Sequence, residues 1–486
     1  MGKSSVKTNY IFKVAYQLFA IFVPLITTPY ISRVLGVEGV GTYSYTYSMV
    51  RYFWLLSALG TVEFGTRLVG IDQNNKEKRS YDFWNIFSIK FIATFITISL
   101  YILYVYQIGD NKFIALIQGI NLIAVLFDIT WFYQGMENFK SVSLKNFIIK
   151  ILNIIYIFVF IKDKDDLSLY VFGTAFFLLV GNLSLWVGLR KYLTKIKIKK
   201  LTPLKYLKPV MQLFIPSISV QVFAILDKSM IGWFTKNPAE NGYYEQAYKI
   251  VDMALVLITS LAGVLIPKVS RAHNEGNKEE IKKYMNKSFS FIWFLAIPLM
   301  LGTMSIAKTF VPIFFGPEYY KAVYVLIILS LLFIVMGLSS VTGEQYLISV
   351  GQYNKLTKIL LLGGAVNISL NILLIPKLGA IGAAVGSVIG ETIICIIGLI
   401  YMHKNIAGFD LIHCLKTSKK YLLAGISMFA FVIIVTNIIS IQTLIGLCIV
   451  IALATIVYAG ILLILKDEFV LTELSKLKRR LVKNND

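Results

Sequence analysis

Long apolar segments recur along the whole chain, and short breaks that carry charged residues, proline or glycine separate them. A helix needs about 20 mainly apolar residues to cross the roughly 30 Å hydrocarbon layer of a membrane. The pattern therefore predicts an all-α integral membrane protein with fourteen transmembrane helices and no sizeable soluble domain. The predicted spans lie near residues 10–32, 40–62, 83–106, 112–135, 144–161, 167–189, 209–234, 243–266, 288–311, 321–343, 357–375, 379–402, 420–439 and 442–465.

The composition agrees with a membrane protein. Apolar residues make up 57% of the 486 residues and charged residues only 15%, whereas about 25% of the residues are charged in soluble domains. Together with a mean hydropathy of +0.71, this excludes a soluble fold. The three cysteines form no CxxC pair and the three histidines have no metal-ligand spacing, so we expect neither a disulfide scaffold nor a metalloenzyme, and no cofactor.

Basic residues predict the orientation of the chain. Lys and Arg number 48 against 26 Asp and Glu, which gives a net charge of +22. In a soluble protein this surplus would suggest nucleic acid, but here most basic residues fall on alternate connections, as in the cytoplasmic loops of membrane proteins. The richest connection is 190–208, between the sixth and seventh predicted spans. We therefore predict that both termini are cytoplasmic and that the basic inner surface faces anionic membrane lipids rather than nucleic acid.

An internal repeat divides the chain. Residues 41–47, GTYSYTY, are similar to residues 242–248, GYYEQAY, at an offset of 201 residues. This offset relates spans one to six to spans seven to twelve, and it predicts two pseudo-symmetric six-helix lobes followed by two C-terminal helices. Two such lobes usually work by alternating access. The predicted domains are an N-terminal lobe at 1–195, a basic cytoplasmic linker at 196–208, a C-terminal lobe at 209–403, and the last two spans with a cytoplasmic tail at 404–486.

Charged and aromatic side chains inside the predicted spans are candidates for substrate binding. An ionisable side chain costs at least about 2.5 kcal/mol at the centre of a membrane helix, so it needs a partner or a wet cavity. Arg51 and Tyr47 share one face of the second span, and the repeat pairs Arg51 with Asp252. The alternative is that such a charge forms an ion pair that stabilises helix packing. For the adjacent Asp227 and Lys228, the sequence supports an ion pair and a binding role equally well. The substrate-binding candidates are Tyr47, Arg51, Lys228, Tyr248, Lys249 and Asp252.

Two further groups of charged residues each allow two interpretations. Basic side chains near the inner ends of the spans either reach lipid headgroups or form a cationic vestibule for a phosphate-bearing substrate. These residues are Arg67, Lys90, Lys145 and Lys150. Carboxylates in the spans either serve ion coupling and gating or act as packing partners. These residues are Asp128, Asp227, Glu344 and Glu391.

Four motifs follow one another along the chain. They are GTVEFGTR at 60–67, DITWFYQGMENFK at 128–140, DKSMIG at 227–232 with GYYE at 242–245, and LGAIGAAVG at 378–386 with Glu391. In this order, the motifs resemble those of the bacterial polysaccharide flippases (Wzx-type). These flippases form the polysaccharide-transport branch of the MOP superfamily, which also holds the MATE exporters and the lipid II flippases. The resemblance covers nearly the whole chain.

The resemblance implies a flippase of the bacterial cytoplasmic membrane, and not an enzyme. Such a protein moves undecaprenyl-pyrophosphate-linked oligosaccharide repeat units from the inner to the outer leaflet, for the assembly of O-antigen, capsule or exopolysaccharide. It would work beside a polysaccharide polymerase and other assembly proteins. The chain has no G-x-x-x-x-G-K-[ST] motif, so the energy would come from removal of the substrate, an ion gradient or the membrane potential.

Three alternatives stay open beside this hypothesis. A MATE-like exporter of small cationic compounds should offer acids in its spans without matching basic residues, whereas here Arg51, Lys228 and Lys249 accompany the acids. A lipid II flippase handles a chemically similar substrate, and only the motifs disfavour it. A membrane scaffold or a glycosyltransferase is the third alternative, and the lack of a soluble domain argues against catalysis on nucleotide sugars.

Overall fold

A computed structural model of the chain describes residues 6–406, 408–473 and 475. Inside these ranges, the side chains of 6–18, 20, 21, 198, 213, 215–220, 223 and 224 lie outside the description. The described residues form helices joined by short turns, and none of them lies in a strand. The predicted all-α fold class is therefore confirmed.

Nineteen α-helices follow one another in the described part of the chain, and a π-helix, Val341–Ile348, continues the fourteenth. The helices are α1 Val6–Ala58, α2 Thr61–Ile71, α3 Lys76–Gln107, α4 Lys112–Gln118, α5 Ile120–Leu126, α6 Thr130–Gly135, α7 Phe139–Phe160, α8 Leu167–Leu189, α9 Leu204–Thr235, α10 Pro238–Thr259, α11 Ala262–Asn274, α12 Lys278–Phe314, α13 Ala322–Leu329, α14 Leu332–Ser340, α15 Tyr353–Leu378, α16 Ala380–Asn405, α17 Leu411–Lys416, α18 Ser418–Ile438 and α19 Leu444–Ile464.

Eleven helical segments of the described residues are long and apolar enough to cross a membrane. They coincide with predicted spans three to six and eight to fourteen, so the chain is an integral membrane protein with many spans. The first, second and seventh predicted spans fall on α1 and α9, in which some side chains lie outside the described set. The total of fourteen spans therefore stays a prediction.

The break between the first two predicted spans is a kink rather than a loop. Both spans lie on the 53-residue helix α1, whose backbone leaves helical geometry at Gly36, with φ 69° and ψ 178°. A side chain at this φ would strain the backbone, whereas glycine adopts it freely. Gly36 therefore lets α1 change direction without a connecting loop.

The described residues form two compact units, one up to Gly242 and one from Tyr243 onward. The first unit holds α1 to α9, so it includes the seventh predicted span, which the repeat assigns to the second lobe. The repeat defines the lobes by the order of their spans, whereas the compact units are defined by contacts within the fold. The lobe limits therefore stay a prediction.

Two of the sequence motifs meet in the core of the first unit. Gly65 of GTVEFGTR lies on α2 against Trp131 of DITWFYQGMENFK on α6, and a Cβ atom at Gly65 would lie 2.4 Å from Cε3 of Trp131. Trp131 is fully buried, and its ring stacks on Phe83 with 5.4 Å between ring centroids. These motifs therefore maintain the packing of α2, α3 and α6.

Close helix contacts also organise the second unit. A Cβ atom at Gly363 of α15 would lie 2.2 Å from Cγ1 of Ile394 on α16, as expected where small residues let membrane helices approach. The C-terminal helices are attached to α12, because Trp293 Nε1 donates to the Cys414 carbonyl at 3.0 Å and Tyr458 Oη donates to the Phe294 carbonyl at 3.1 Å. The last two predicted spans therefore pack on this unit.

Candidate functional site

Arg51 lies at the end of an aromatic stripe on α1. Tyr43 and Tyr47, two turns and one turn before Arg51, stack with 5.6 Å between ring centroids and an interplanar angle of 9°. Tyr170 of α8 meets Tyr43 edge to face at 5.0 Å. The guanidinium carbon of Arg51 lies 4.4 Å from the ring centroid of Trp54, and no described carboxylate lies within 4.0 Å of this guanidinium. Because a π face satisfies a cation only partly, the guanidinium can still bind an anion.

A cavity of about 270 Å³ opens beside Arg51, within the first unit. We call it the Arg51 cavity. Its walls come from α1, α5, the break between α5 and α6, α7 and α8, and they combine charged, amide and aromatic groups. The lining residues are Tyr47, Val50, Arg51, Trp54, Asn121, Val125, Asp128, Thr130, Lys145, Asn146, Leu178 and Asn182.

Hydrogen bonds hold the polar lining of the Arg51 cavity in place. Lys145 Nζ of α7 donates to Asn182 Oδ1 at 3.3 Å, and Asn182 Nδ2 donates to the Ala124 carbonyl at 2.8 Å. Asn121 Nδ2 donates to Gln118 Oε1 at 2.8 Å. Arg51 and Lys145 face the single carboxylate of Asp128 among the lining residues, so the cavity carries a surplus of positive charge.

Asp128 and Lys90 brace the break between α5 and α6. Oδ1 of Asp128 accepts the backbone N–H of Thr130, the first residue of α6, at 2.9 Å. Lys90 is 1% exposed, and its Nζ donates to the Asp128 carbonyl at 2.7 Å. Its ammonium therefore does not reach lipid headgroups, and Lys90 is not a lining residue of the Arg51 cavity. A role of Lys90 in a cationic vestibule stays a prediction. Where the chain leaves helical geometry, its free carbonyl offers the buried ammonium a partner.

Four other candidates in the first unit are not lining residues of the Arg51 cavity. Arg67 is exposed on α2, and Lys150 is half-buried on α7. Asp227 is buried on α9, and the carbonyl of the neighbouring Lys228 accepts Asn241 Nδ2 at 2.6 Å. The structure thus brings Tyr47, Arg51, Asp128 and Lys145 together and leaves these four elsewhere.

The second unit repeats the aromatic stack with a different charge. Tyr244 and Tyr248 stack at 5.9 Å with an interplanar angle of 12°, and the repeat pairs them with Tyr43 and Tyr47. Lys249 forms an ion pair with Glu245 at 3.9 Å on α10. Asp252 is exposed in this unit. The predicted binding residues of α10 therefore form a stripe in which the cation already has a carboxylate partner.

Glu344 and Glu391 accompany polar groups of the second unit. Glu344 lies exposed on the π-helix, where its carboxylate accepts Ser340 Oγ at 3.3 Å. Such π-helical turns often occur at functional sites. Glu391 is half-buried on α16, one turn after Ser387. A hydrogen-bonded chain links Tyr244 Oη to Ser387 Oγ at 3.3 Å, Asn367 Nδ2 to Ser387 Oγ at 3.5 Å, and Asn371 Nδ2 to Asn367 Oδ1 at 3.3 Å.

Metal binding finds no support in the part of the chain that the structure describes. None of its His, Cys, Asp and Glu side chains come together in a group of three that could hold a metal ion.

The sequence pattern missed three groups of the Arg51 cavity, namely Trp54, Thr130 and Asn182. Asn182 is the clearest case, because it is buried in the largely apolar helix α8 and contacts both α7 and α5. A single amide at membrane depth is a usable signal, since it needs a polar partner.

Comparisons with known proteins agree with this architecture. The model of the polysaccharide biosynthesis protein family matches residues 6–273, which is more than half of the chain. A protein of Escherichia coli strain K12 described as an O-antigen transporter is 23% identical over 83% of this chain and 98% of its own length. A capsular polysaccharide biosynthesis protein of Staphylococcus aureus is 26% identical over 66% of this chain and 80% of its own length.

The fold has a counterpart among solved structures. A lipid II flippase in an inward closed conformation aligns with a TM-score of 0.75, over 95% of this chain and 100% of that chain, at 16% identity. At this identity the likeness concerns the fold, and it agrees with the superfamily that the motifs indicated.

Proposed function

Because the chain belongs to the polysaccharide biosynthesis protein family, we propose that it is a flippase that moves lipid-linked oligosaccharide repeat units across the membrane for polysaccharide assembly. The observation that carries this proposal is the Arg51 cavity, where Arg51, which has no carboxylate within 4.0 Å among the described residues, stands beside a second cation, amides and aromatic rings. The relatives described as an O-antigen transporter and a capsular polysaccharide protein support the class of substrate.

Two cations of the Arg51 cavity suit a pyrophosphate headgroup. A guanidinium presents N–H donors in a planar fork that matches phosphate oxygens, and each charge-assisted hydrogen bond is worth about 1.5–3 kcal/mol. Arg51 would supply the fork and Lys145 the second charge. Trp54 would keep the guanidinium oriented between binding events, because its ring already stacks on it.

The rest of the lining suits the sugars that follow the pyrophosphate. Aromatic rings offer apolar faces to sugar rings, and amides offer both a donor and an acceptor to hydroxyl groups. The Tyr47 ring and the Asn121 and Asn146 amides would take this role. Arg67 and Lys150 would guide the anionic headgroup toward the cavity from the cytoplasmic side.

Alternating access between the two lobes of the repeat is the proposed mode of transport. The basic connections support an orientation with both termini in the cytoplasm of a bacterial cell, and the protein carries no catalytic step in this scheme. Tyr248, Lys249 and Asp252 would contact the substrate after Arg51, and Lys228 would be a further contact. Gating or ion coupling would fall to Asp227, Glu344 and Glu391, while Asp128 keeps the α5–α6 break in shape. A polymerase would then use the delivered repeat units.

The charge of the Arg51 cavity separates this function from its main alternative. An exporter of small cationic compounds would bring its cargo against Arg51 and Lys145, and the like charges would repel it. A lipid II flippase would accept the same pyrophosphate. The relatives described as an O-antigen transporter and a capsular polysaccharide biosynthesis protein, rather than the cavity, therefore favour the repeat unit.

An export assay tests the proposal directly. We expect Arg51→Ala, expressed in a strain that lacks the native gene, to reduce surface polysaccharide at least about tenfold, because a charge-assisted contact of 1.5–3 kcal/mol is lost. The lipid-linked oligosaccharide should accumulate on the cytoplasmic leaflet, as measured by mass spectrometry of extracted lipids. Lys308→Ala, which removes an exposed lysine from α12, is the matched control for charge. Normal export by Arg51→Ala at a normal membrane level would exclude the proposed role of the cavity.

A further inference from the structure

A second cavity of about 340 Å³ lies in the first unit, on a different face of α1 from the Arg51 cavity. Residues from α1, the end of α3, the turn at 108–111, the end of α9 and the start of α10 surround it. We call it the Trp233 cavity. Its volume falls within the range of small-molecule sites, which begins at about 300 Å³. Its main polar and aromatic residues are Tyr45, Thr46, Tyr104, Trp233, Asn237 and Asn241.

Asn241 offers an unpaired acceptor at the floor of the Trp233 cavity. Its side chain is fully buried, and its Nδ2 donates to the Lys228 carbonyl at 2.6 Å. Its Oδ1 has no hydrogen-bond partner among the described residues. A buried acceptor without a partner costs about 1–3 kcal/mol. A ligand that brings a hydroxyl donor would recover this free energy.

Aromatic rings and hydroxyls complete the wall of the cavity. Tyr45, Tyr104 and Trp233 provide apolar ring faces, and each also carries an O–H or N–H donor. Thr46 adds a hydroxyl at the buried end, and Trp233 stands 47% exposed at the mouth. This mixture of ring faces and dispersed hydrogen-bonding groups matches a sugar, which has apolar C–H faces and a rim of hydroxyls.

The charge balance of the Trp233 cavity points to a neutral ligand. Asp110 and Lys236 are the two charged residues of its lining, and both are exposed at the mouth. Their charges are opposite, whereas Arg51 and Lys145 outnumber Asp128 in the Arg51 cavity. A phosphate group therefore gains little electrostatic binding free energy in the Trp233 cavity. An uncharged sugar does not depend on a surplus of charge for its binding.

Hydrogen bonds connect the walls of the two cavities. Gln118, which is 1% exposed, donates from Nε2 to Thr46 Oγ1 at 3.4 Å, and its Oε1 accepts Asn121 Nδ2 at 2.8 Å. Thr46 lines the Trp233 cavity and Asn121 lines the Arg51 cavity. The two cavities thus share one buried polar wall.

We infer that the Trp233 cavity is a saccharide-binding site, which holds the sugar portion of the substrate on the extracytoplasmic side. The turns at 108–111 and 236–237, which lie at its mouth, fall on that side in the proposed orientation. The transport role rests on the proposed function. The preference for a neutral sugar rests on the lining alone.

Isothermal titration calorimetry on the full-length protein in lipid nanodiscs tests this inference. The probe is lipid-free oligosaccharide, released by partial acid hydrolysis from the surface polysaccharide of the producing cells. We expect the wild type to bind it, and Trp233→Leu and Asn241→Leu to weaken binding about tenfold, because ring and hydrogen-bond contacts of this kind are each worth about 1 kcal/mol or more. Phe234→Leu is the matched control, since Phe234 neighbours Trp233, is 42% exposed and is not a lining residue.

The outcomes separate this inference from the proposed function. No binding by the wild type, or equal binding by Trp233→Leu and the wild type, overturns the inference whatever Arg51→Ala does to export. Loss of sugar binding in Arg51→Ala together with unchanged binding in Trp233→Leu assigns the sugar to the Arg51 cavity, and it also overturns the inference. Sugar binding that depends on Trp233, with normal export by Arg51→Ala, supports the saccharide site and excludes the proposed role of Arg51.

Discussion

Two segments of this chain share an aromatic scaffold and differ in charge. Tyr43 and Tyr47 stack at 5.6 Å in the first unit, and Tyr244 and Tyr248, their counterparts 201 residues later, stack at 5.9 Å in the second. One turn after each stack, the first segment carries Arg51 and the second carries Asp252. The repeat has thus kept the geometry of the helix face while the charge has changed sign.

The surroundings of the two stripes differ in the same way. Arg51 contacts the Trp54 ring and lines a cavity together with Lys145. Lys249 of the second stripe instead forms an ion pair with Glu245. An anion therefore finds uncompensated positive charge in the first unit and compensated charge in the second. Recognition of a pyrophosphate should depend mainly on the first unit, although the sequence repeat gives both segments the same aromatic spacing.

Reversal of the two charges is the strongest test of this asymmetry. We expect Arg51→Asp to abolish export, because a carboxylate in a site of low dielectric repels the substrate phosphates and removes the guanidinium contacts at once. Asp252→Arg should lower export by no more than about threefold, since Asp252 is not a lining residue of the positively charged Arg51 cavity. Surface polysaccharide in a complemented deletion strain measures both. Equal loss in the two variants, at equal membrane levels, would mean that the units contribute alike.

Replacement of the second cation in each unit should give a smaller difference. Lys145→Gln leaves a donor for Asn182 but removes one of the two cations that outnumber Asp128 in the Arg51 cavity, so we expect about a fivefold loss of export. Lys249→Gln removes one partner of a partly exposed ion pair, which is worth about 0–1 kcal/mol, and should change export less than twofold. Export rates from pulse-labelled polysaccharide distinguish these values. A larger loss in Lys249→Gln would contradict the asymmetry.

Helical periodicity predicted part of this picture and could not predict the rest. The spacing of Tyr43, Tyr47 and Arg51 follows from the helix itself, so their common face and the stacked rings were foreseeable. A search for charged residues in the predicted spans also selects Asp128 and Lys145, and both line the Arg51 cavity. Their convergence depends on how α5, α7 and α8 pack around α1, which spacing along one helix does not encode.

Lys90 shows where periodicity fails. A lysine near the end of a membrane helix usually extends toward lipid headgroups, because its flexible stem allows it. Here the break between α5 and α6 exposes the carbonyl of Asp128, and this acceptor holds the ammonium inside the protein at 2.7 Å. The break comes from tertiary packing of the short helices. The inward direction of the Lys90 side chain could therefore be seen only in the folded structure. The Trp233 cavity could not be predicted from the sequence for the same reason, since its walls come from five separate helices.

The two aromatic stacks provide the smallest and most direct comparison. Tyr47→Leu and Tyr248→Leu remove one ring from each stack, and an aromatic pair is worth about 0.5–1.5 kcal/mol beyond its buried area. We therefore expect both variants to lower the thermal unfolding temperature of the purified protein by similar amounts, as followed by tryptophan fluorescence. Export should fall about twofold to threefold in Tyr47→Leu and less in Tyr248→Leu, because Tyr47 lines the Arg51 cavity while Tyr248 lies in the compensated stripe. Phe substitutions, which keep the rings, should restore both properties. If Tyr248→Leu reduced export as much as Tyr47→Leu at the same unfolding temperature, the two stacks would contribute equally to transport, and the division between the units would be one of charge only.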